Sequence, residues 1–347
     1  MPFSDGESFV LPVLSTRAPV RVHPDLPTLE HLSAQWARRF LAPAFKDAGD
    51  LDAYIRQQSG LWGCYIAPTV DVETAALIVE WTYVLFLVDD ALITSDTAGA
   101  TAAPAALSVR GSHPFPAGGR LEESFGDLWD RTRRSLNPVL FNRLQQAMQL
   151  YLDNAGSENG VRALCRVPPP AELLRRRMRT LAIEFYLVLI EAGLGLCLSA
   201  ASLADVARAT EYALEHIALT NDLFSFRKER YEHDDLNLIA AYHHHHGWSL
   251  QRTVNHLCAA IDHAEHQLLA TCDDLLNTCD RAAVGAYLDA LCHLVGGNQH
   301  WNYIAARYHG EHHRWNGVRS GTITLYRDRT VFAATGPALP PINEVTL

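Results

Sequence analysis

The stretch 84–96, VLFLVDDALITSD, decides how the rest of the chain is read. It closes a longer run from Val72, VETAALIVEWTYVLFLVDD, which is apolar nearly all round. A helix of that kind belongs in the middle of a bundle. The run stops abruptly at Asp89 and Asp90. Adjacent carboxylates repel each other and are costly to desolvate. A helix C-terminus already carries partial negative charge, and disfavours each exposed carboxylate by about 0.3–1 kcal/mol. A divalent cation removes the conflict. Hard cations such as Mg²⁺ are held by one or two carboxylates, with waters and substrate phosphates completing the octahedron. The plainer alternative is a solvated helix end opening the next loop.

A second constellation bears on that choice. NDLFSFRKE, residues 221–229, places Asn221, Ser225 and Glu229 at i, i+4 and i+8. On a helix these positions drift by only about 40° per step, so an amide, a hydroxyl and a carboxylate share one face. All three offer oxygen ligands suited to Mg²⁺. The stripe is embedded in a mostly apolar helix, after YALEHIALT.

The chain has 347 residues, 48% of them hydrophobic and 20% charged, with net charge −10. That acidity argues against non-specific nucleic-acid binding, which needs clustered Lys and Arg. The seven cysteines include no CxxC pair. They read as reduced core residues of a cytoplasmic protein. The N-terminus lacks the long apolar stretch of a secretory signal. FYLVLIEAGLGLCL is too short and polar to span a bilayer, so no membrane partner is expected.

Helical patterns occupy about 28–48, 72–90, 120–153, 170–200, 202–232, 248–276 and 281–308. Residues 97–119 carry Gly and Pro without helical amphipathicity and read as a long loop. TITLY, 322–326, is too isolated to build a sheet. The expected organisation is an extended segment over 1–25, one all-α domain over 26–315, and a frayed tail over 316–347.

At this point the sequence resembles the bacterial-type class I terpene synthases, or terpene cyclases. HPD (23–25) followed by Trp36, FLVDD (86–90), NDLFSFRKE, and Arg307–Tyr308 match the family's motifs in chain order. The resemblance implies a single-domain antiparallel helical bundle around a deep apolar pocket, with three Mg²⁺ ions (Mn²⁺ can substitute) at its mouth. Asp89, with Asp90, would hold two of them, and Asn221, Ser225 and Glu229 the third. It also implies a diphosphate-sensing arginine; counting back 46 positions from Asn221 gives Arg175. Arg176, Arg177 and Arg179 are neighbours, which leaves the register open. Lys228, Arg307 and Tyr308 complete the diphosphate ligands. The family writes DDxxD or DDxxxE; this chain has Ile93 and Thr94 at those places, and the next acid is Asp96.

The implied reaction is ionisation of a linear isoprenyl diphosphate, farnesyl diphosphate first and geranylgeranyl diphosphate next, followed by carbocation cyclisation. Aromatic faces stabilise such cations; Phe86, Trp301, Trp62 and Tyr65 are the candidates. The chain would be a monomer or homodimer. A chain-elongating prenyltransferase of the same fold usually carries two DDxxD motifs. A His-Asp phosphohydrolase, suggested by EHDD at 232–235, leaves 221–229 unexplained. His243–His246 read as a solvated loop or helix end rather than a metal site.

Overall fold

A computed structural model describes residues 4–14, 17–94, 121–164, 166–278 and 282–334. The expected loop lies almost wholly outside the described residues, and so does Asp96.

The fold is all-α. Among the described residues the helices are α1 (Leu26–Phe40), α2 (Ala48–Arg56), α3 (Trp62–Ile66), α4 (Val72–Thr94), α5 (Glu122–Ser135), α6 (Pro138–Ala163), α7 (Pro170–Thr180), α8 (Ile183–Gly193), α9 (Ala200–Tyr231), α10 (Leu238–His246), α11 (Leu250–Thr278), α12 (Ala282–Ile304) and α13 (Ala306–His309). Their starts follow local chemistry. The Asp47 side chain accepts from the Gly49 and Asp50 amides, Asn137 from Leu140, Ser199 from Ser202, and Asn237 from Ile239. Each satisfies an amide that the first helical turn leaves orphaned.

α4 is buried from Ile78 to Leu85 on every side, as an apolar helix must be. It packs against α1, α3, α5 and α8. α9 packs against α7, α11, α12 and α13. These two helices carry the two acidic motifs. α4 continues through Asp89 and Asp90 to Thr94, so the pair lies inside the helix rather than at its end. The macrodipole effect is confined to the last turn. The charge conflict expected there is therefore met by side chains instead.

Several expected helices are broken. The first stops at Phe40, before a 3₁₀ turn containing Pro43. The pattern over 120–153 divides at Leu136–Asn137, just before Pro138. The pattern over 170–200 divides at Leu181–Ala182, where Ala182 is left-handed at φ 55°. His243–His246 form the last residues of α10, which ends at Gly247 with φ 64°.

The isolation expected of TITLY is incorrect. β1 (Glu7–Leu11), β2 (Gly321–Leu325) and β3 (Thr330–Ala334) form an antiparallel sheet in that order. Phe9 pairs with Ile323, which pairs with Phe332. Residues 316–334 are thus no frayed tail. Phe9, Leu11, Ile323 and Leu325 turn inward and are buried. The outer edge of β1 is closed by Gln251, whose amide accepts from the Val10 N–H and donates to its carbonyl.

Candidate active site

A cavity of about 50 Å³ opens between α4, α6, α7, α8, α9 and α13. Asp89, Arg177, Asn221, Lys228, Glu229, Arg307 and Tyr308 line its polar part. Leu85, Phe86, Tyr151, Leu181, Ala182 and Tyr186 line its apolar part. Charged groups from four separate helices therefore converge on one mouth above an aromatic floor.

Asn221, Ser225 and Glu229 all lie on α9, at a spacing that puts them on one face; Asn221 and Glu229 line the cavity, and Ser225 is not among its lining residues. Glu229 and Ser225 are buried. Asn221 Oδ1 accepts from Arg177 Nη2 at 2.7 Å, and Glu229 Oε1 lies 3.5 Å from the same nitrogen. Glu229 Oε2 accepts from Asn237 Nδ2 at 2.8 Å. Burial pushes the Glu229 carboxyl up to about 7, and the neighbouring Arg177 charge opposes that rise. Ser225 Oγ is buried and has no hydrogen-bond partner among the described residues. A buried hydroxyl left unsatisfied costs about 1–3 kcal/mol. The donor set is all oxygen, one atom of it is orphaned, and two of its oxygens already hold a cationic group. It fits a hard divalent cation.

Arg175 is exposed and does not line the cavity, which corrects the count-back from Asn221. Of the arginines at 175–179, Arg177 is the one that lines the cavity. It falls one turn after buried Leu173, on the inward stripe of α7. Its Nε donates to Asp222 Oδ1 at 2.7 Å. Asp222 is itself held by the Leu238 amide at 2.7 Å. The sequence signalled this phase, since Leu173, Arg177 and Thr180 follow helical spacing.

Asp89 is half exposed and faces the cavity. Asp90 accepts both Arg307 Nη1 and Nη2, at 2.8 and 2.7 Å, and Lys228 Nζ at 2.9 Å. Burial alone would raise the Asp90 carboxyl. Arg307 and Lys228 outweigh that and hold it well below the usual carboxylate range. Asp90 is thus engaged by two cations of the protein, Arg307 and Lys228. Tyr308 lies beside them, and its hydroxyl accepts from Asn221 Nδ2 at 2.8 Å.

Of the aromatic candidates, Phe86 lines the cavity, and the Arg307 guanidinium sits 4.7 Å from its ring centre. Trp301 lies behind it, 6.0 Å from Phe86 and 5.4 Å from Tyr308. Trp62 also buttresses the wall from behind, edge-on to Tyr186 at 4.9 Å, with its indole N–H on Asn298. Tyr65 is not at the site. α3 turns it towards α12, where its ring meets His300 at 5.4 Å. Tyr151 and Tyr186 were not singled out in the sequence. Both sit in helices whose apolar pattern does not distinguish a cavity wall from a core.

Comparison with known proteins gives the family. Residues 80–267 match the family model described as terpene synthase family 2, C-terminal metal binding. The (E)-2-epi-beta-caryophyllene synthase of Selaginella moellendorffii is 26% identical, over 94% of this chain and 93% of that protein. The (2Z,6E)-hedycaryol synthase of Kitasatospora setae is 25% identical, over 80% and 83%. The crystal structure of a linalool/nerolidol synthase from Streptomyces clavuligerus superposes with a TM-score of 0.71 at 23% identity, covering 83% of this chain and 99% of that one. Among the described residues no helix is long and apolar enough to cross a membrane. The chain belongs to terpene synthase family 2 and is a class I terpene synthase of the bacterial type, a lyase acting on an isoprenyl diphosphate with a divalent metal-binding C-terminal region.

Proposed function

We propose that this enzyme ionises farnesyl diphosphate with Mg²⁺ and guides the resulting cation to a cyclic or acyclic terpene. The reading is carried by one observation: the Arg177 guanidinium lies between Asn221 and Glu229 in a cavity that Asp89 also lines. Asp89 on one wall, and Asn221, Ser225 and Glu229 on the other, would hold the metal. When bound, Mg²⁺ supplies the positive charge that lets diphosphate depart.

The protein's own groups do the rest. Were Asn221 and Glu229 to hold the metal, the Arg177 Nη2 that they now engage would be left for diphosphate, with Nε still on Asp222. Arg307 and Lys228, now shared on Asp90, face the same space. The Tyr308 hydroxyl is placed to donate to a diphosphate oxygen. These are fixed charges and donors aimed where the leaving group's charge develops. Breaking the allylic C–O bond leaves the cation over Phe86, Tyr151 and Tyr186. Their ring faces stabilise it and exclude water. No covalent nucleophile is needed.

The caryophyllene and hedycaryol in the names of two related enzymes are C15 products, which supports farnesyl diphosphate. The test is incubation with geranyl, farnesyl and geranylgeranyl diphosphates and Mg²⁺, followed by gas chromatography–mass spectrometry. Terpene from farnesyl diphosphate in excess over the others is expected. A longer diphosphate formed on adding isopentenyl diphosphate would instead make it an elongating transferase.

A further inference from the structure

Arg227 is adjacent to Lys228 on α9 but turns away from the cavity and is buried. Its Nε donates to the Tyr308 carbonyl at 2.7 Å, and its Nη1 to the Arg327 carbonyl at 2.7 Å. One guanidinium thus joins the metal-motif helix, the segment carrying Arg307 and Tyr308, and the turn between β2 and β3. A buried cation held by carbonyls is costly to desolvate. An apolar side chain would fill the same space without that cost. Packing alone therefore does not account for an arginine here.

Other contacts converge on the same junction. Gly310 has φ 102°, and a Cβ there would lie 2.2 Å from the Asp328 carbonyl oxygen. The β2–β3 turn therefore rests directly on the chain leaving α13. Phe332 of β3 stands edge-on to His309 at 4.9 Å. The Arg327 amide donates to Asp5 Oδ1 at 2.9 Å, which ties in the segment leading to β1.

We infer that Arg227 is a positioning residue and that the terminal sheet it anchors is a latch, fixing α13 so that Arg307 and Tyr308 meet the diphosphate. α13 spans only Ala306–His309 and cannot hold its own direction. Tyr308 is gripped from both ends, its hydroxyl by Asn221 and its carbonyl by Arg227. Both grips come from α9, so the metal ligands and the diphosphate ligands share one frame. The inference rests on the functional reading above.

The test compares the full-length wild-type chain with Arg227→Met, Arg227→Lys and Phe332→Ala. Turnover of farnesyl diphosphate and calorimetric binding of inorganic diphosphate with Mg²⁺ are both measured at a temperature where each variant is folded. Arg227→Met should lower kcat about 100-fold, the scale of a displacement of about 1 Å in a positioned group. It should weaken diphosphate binding about tenfold. Arg227→Lys should recover part of both, and Phe332→Ala should move both in the same direction by less. If Arg227→Met does not fold, Phe332→Ala and Arg227→Lys decide by the same two readouts. A lowered melting temperature with unchanged kcat and diphosphate affinity would overturn the latch alone. Wild-type protein inert towards every isoprenyl diphosphate would overturn the functional reading and the latch with it.

Discussion

Arg177 and Arg175 differ by two positions and have opposite fates. Both lie in RRRMR, and counting along the chain selects the exposed one. The buried one is bound to Asn221 and Asp222 at 2.7 Å each. Substituting Arg177 by Ala removes both bonds and leaves Asp222 buried without its cation. Losing one member of such a pair costs about 3–5 kcal/mol. Arg177→Ala should therefore lower the melting temperature and abolish turnover, whereas Arg175→Ala should leave both near wild type. Thermal unfolding and steady-state assays on the two proteins check this; equal losses would contradict the assignment. The oxygen ligands on α9 were legible because residue type and spacing alone place them on one face. The role of Asp90 was not, since its partners Arg307 and Lys228 lie 217 and 138 positions away. The aromatic wall was half legible: Phe86 shares a helix with Asp89, whereas the orientation of Tyr65 depends on how α3 meets α12.

At the level of elements, the long helices α4, α9, α11 and α12 were legible from unbroken patterns. The breaks were less so. Pro138 marks one, but Leu181–Ala182 contains no Gly or Pro to announce a helix end. Ala182 adopts φ 55° there and lines the cavity. A left-handed non-glycine residue costs about 1–2 kcal/mol. Ala182→Gly should therefore raise unfolding free energy by about 0.5–1 kcal/mol, after allowance for the freer unfolded chain. Ala182→Val, β-branched at positive φ, should lower it. Denaturant titrations read both signs, and destabilisation by glycine would mean that the strain is not there. The strands were missed for a different reason. β1 and β2 are complementary only across more than 300 positions, Phe9 to Ile323, so no local pattern reveals their pairing.

For the whole molecule, buried neutral histidines are one contribution to the response to acid. Burial pushes His216 and His300 down to about 4; a bond to Gln299 opposes the shift in His216, and the Arg319 charge adds to it in His300. Unfolded histidine takes up its proton near 6.5. At these two histidines the unfolded chain binds protons between about 6.5 and 4 that the folded one does not, so their contribution to stability falls as pH falls, while Glu80 and Glu229, pushed up to about 7 by burial, act in the opposite direction. Each histidine contributes about 3 kcal/mol across that window. Between pH 7 and pH 5 the wild-type melting temperature should change less favourably than that of His216→Gln, which lacks this contribution. Parallel profiles for the two proteins would remove His216 from the explanation. The molecule's central feature is the meeting of α4 and α9 at one cavity, with oxygen ligands on both walls. It is tested most directly by titrating Mg²⁺ against diphosphate release from farnesyl diphosphate, in wild type and in Asn221→Ala, Ser225→Ala and Glu229→Ala. The account predicts no release without metal, a Mg²⁺ requirement raised about tenfold or more in the serine variant, and loss of turnover in the other two with helical content intact. Release at wild-type rates and wild-type Mg²⁺ concentrations in all three variants would contradict it.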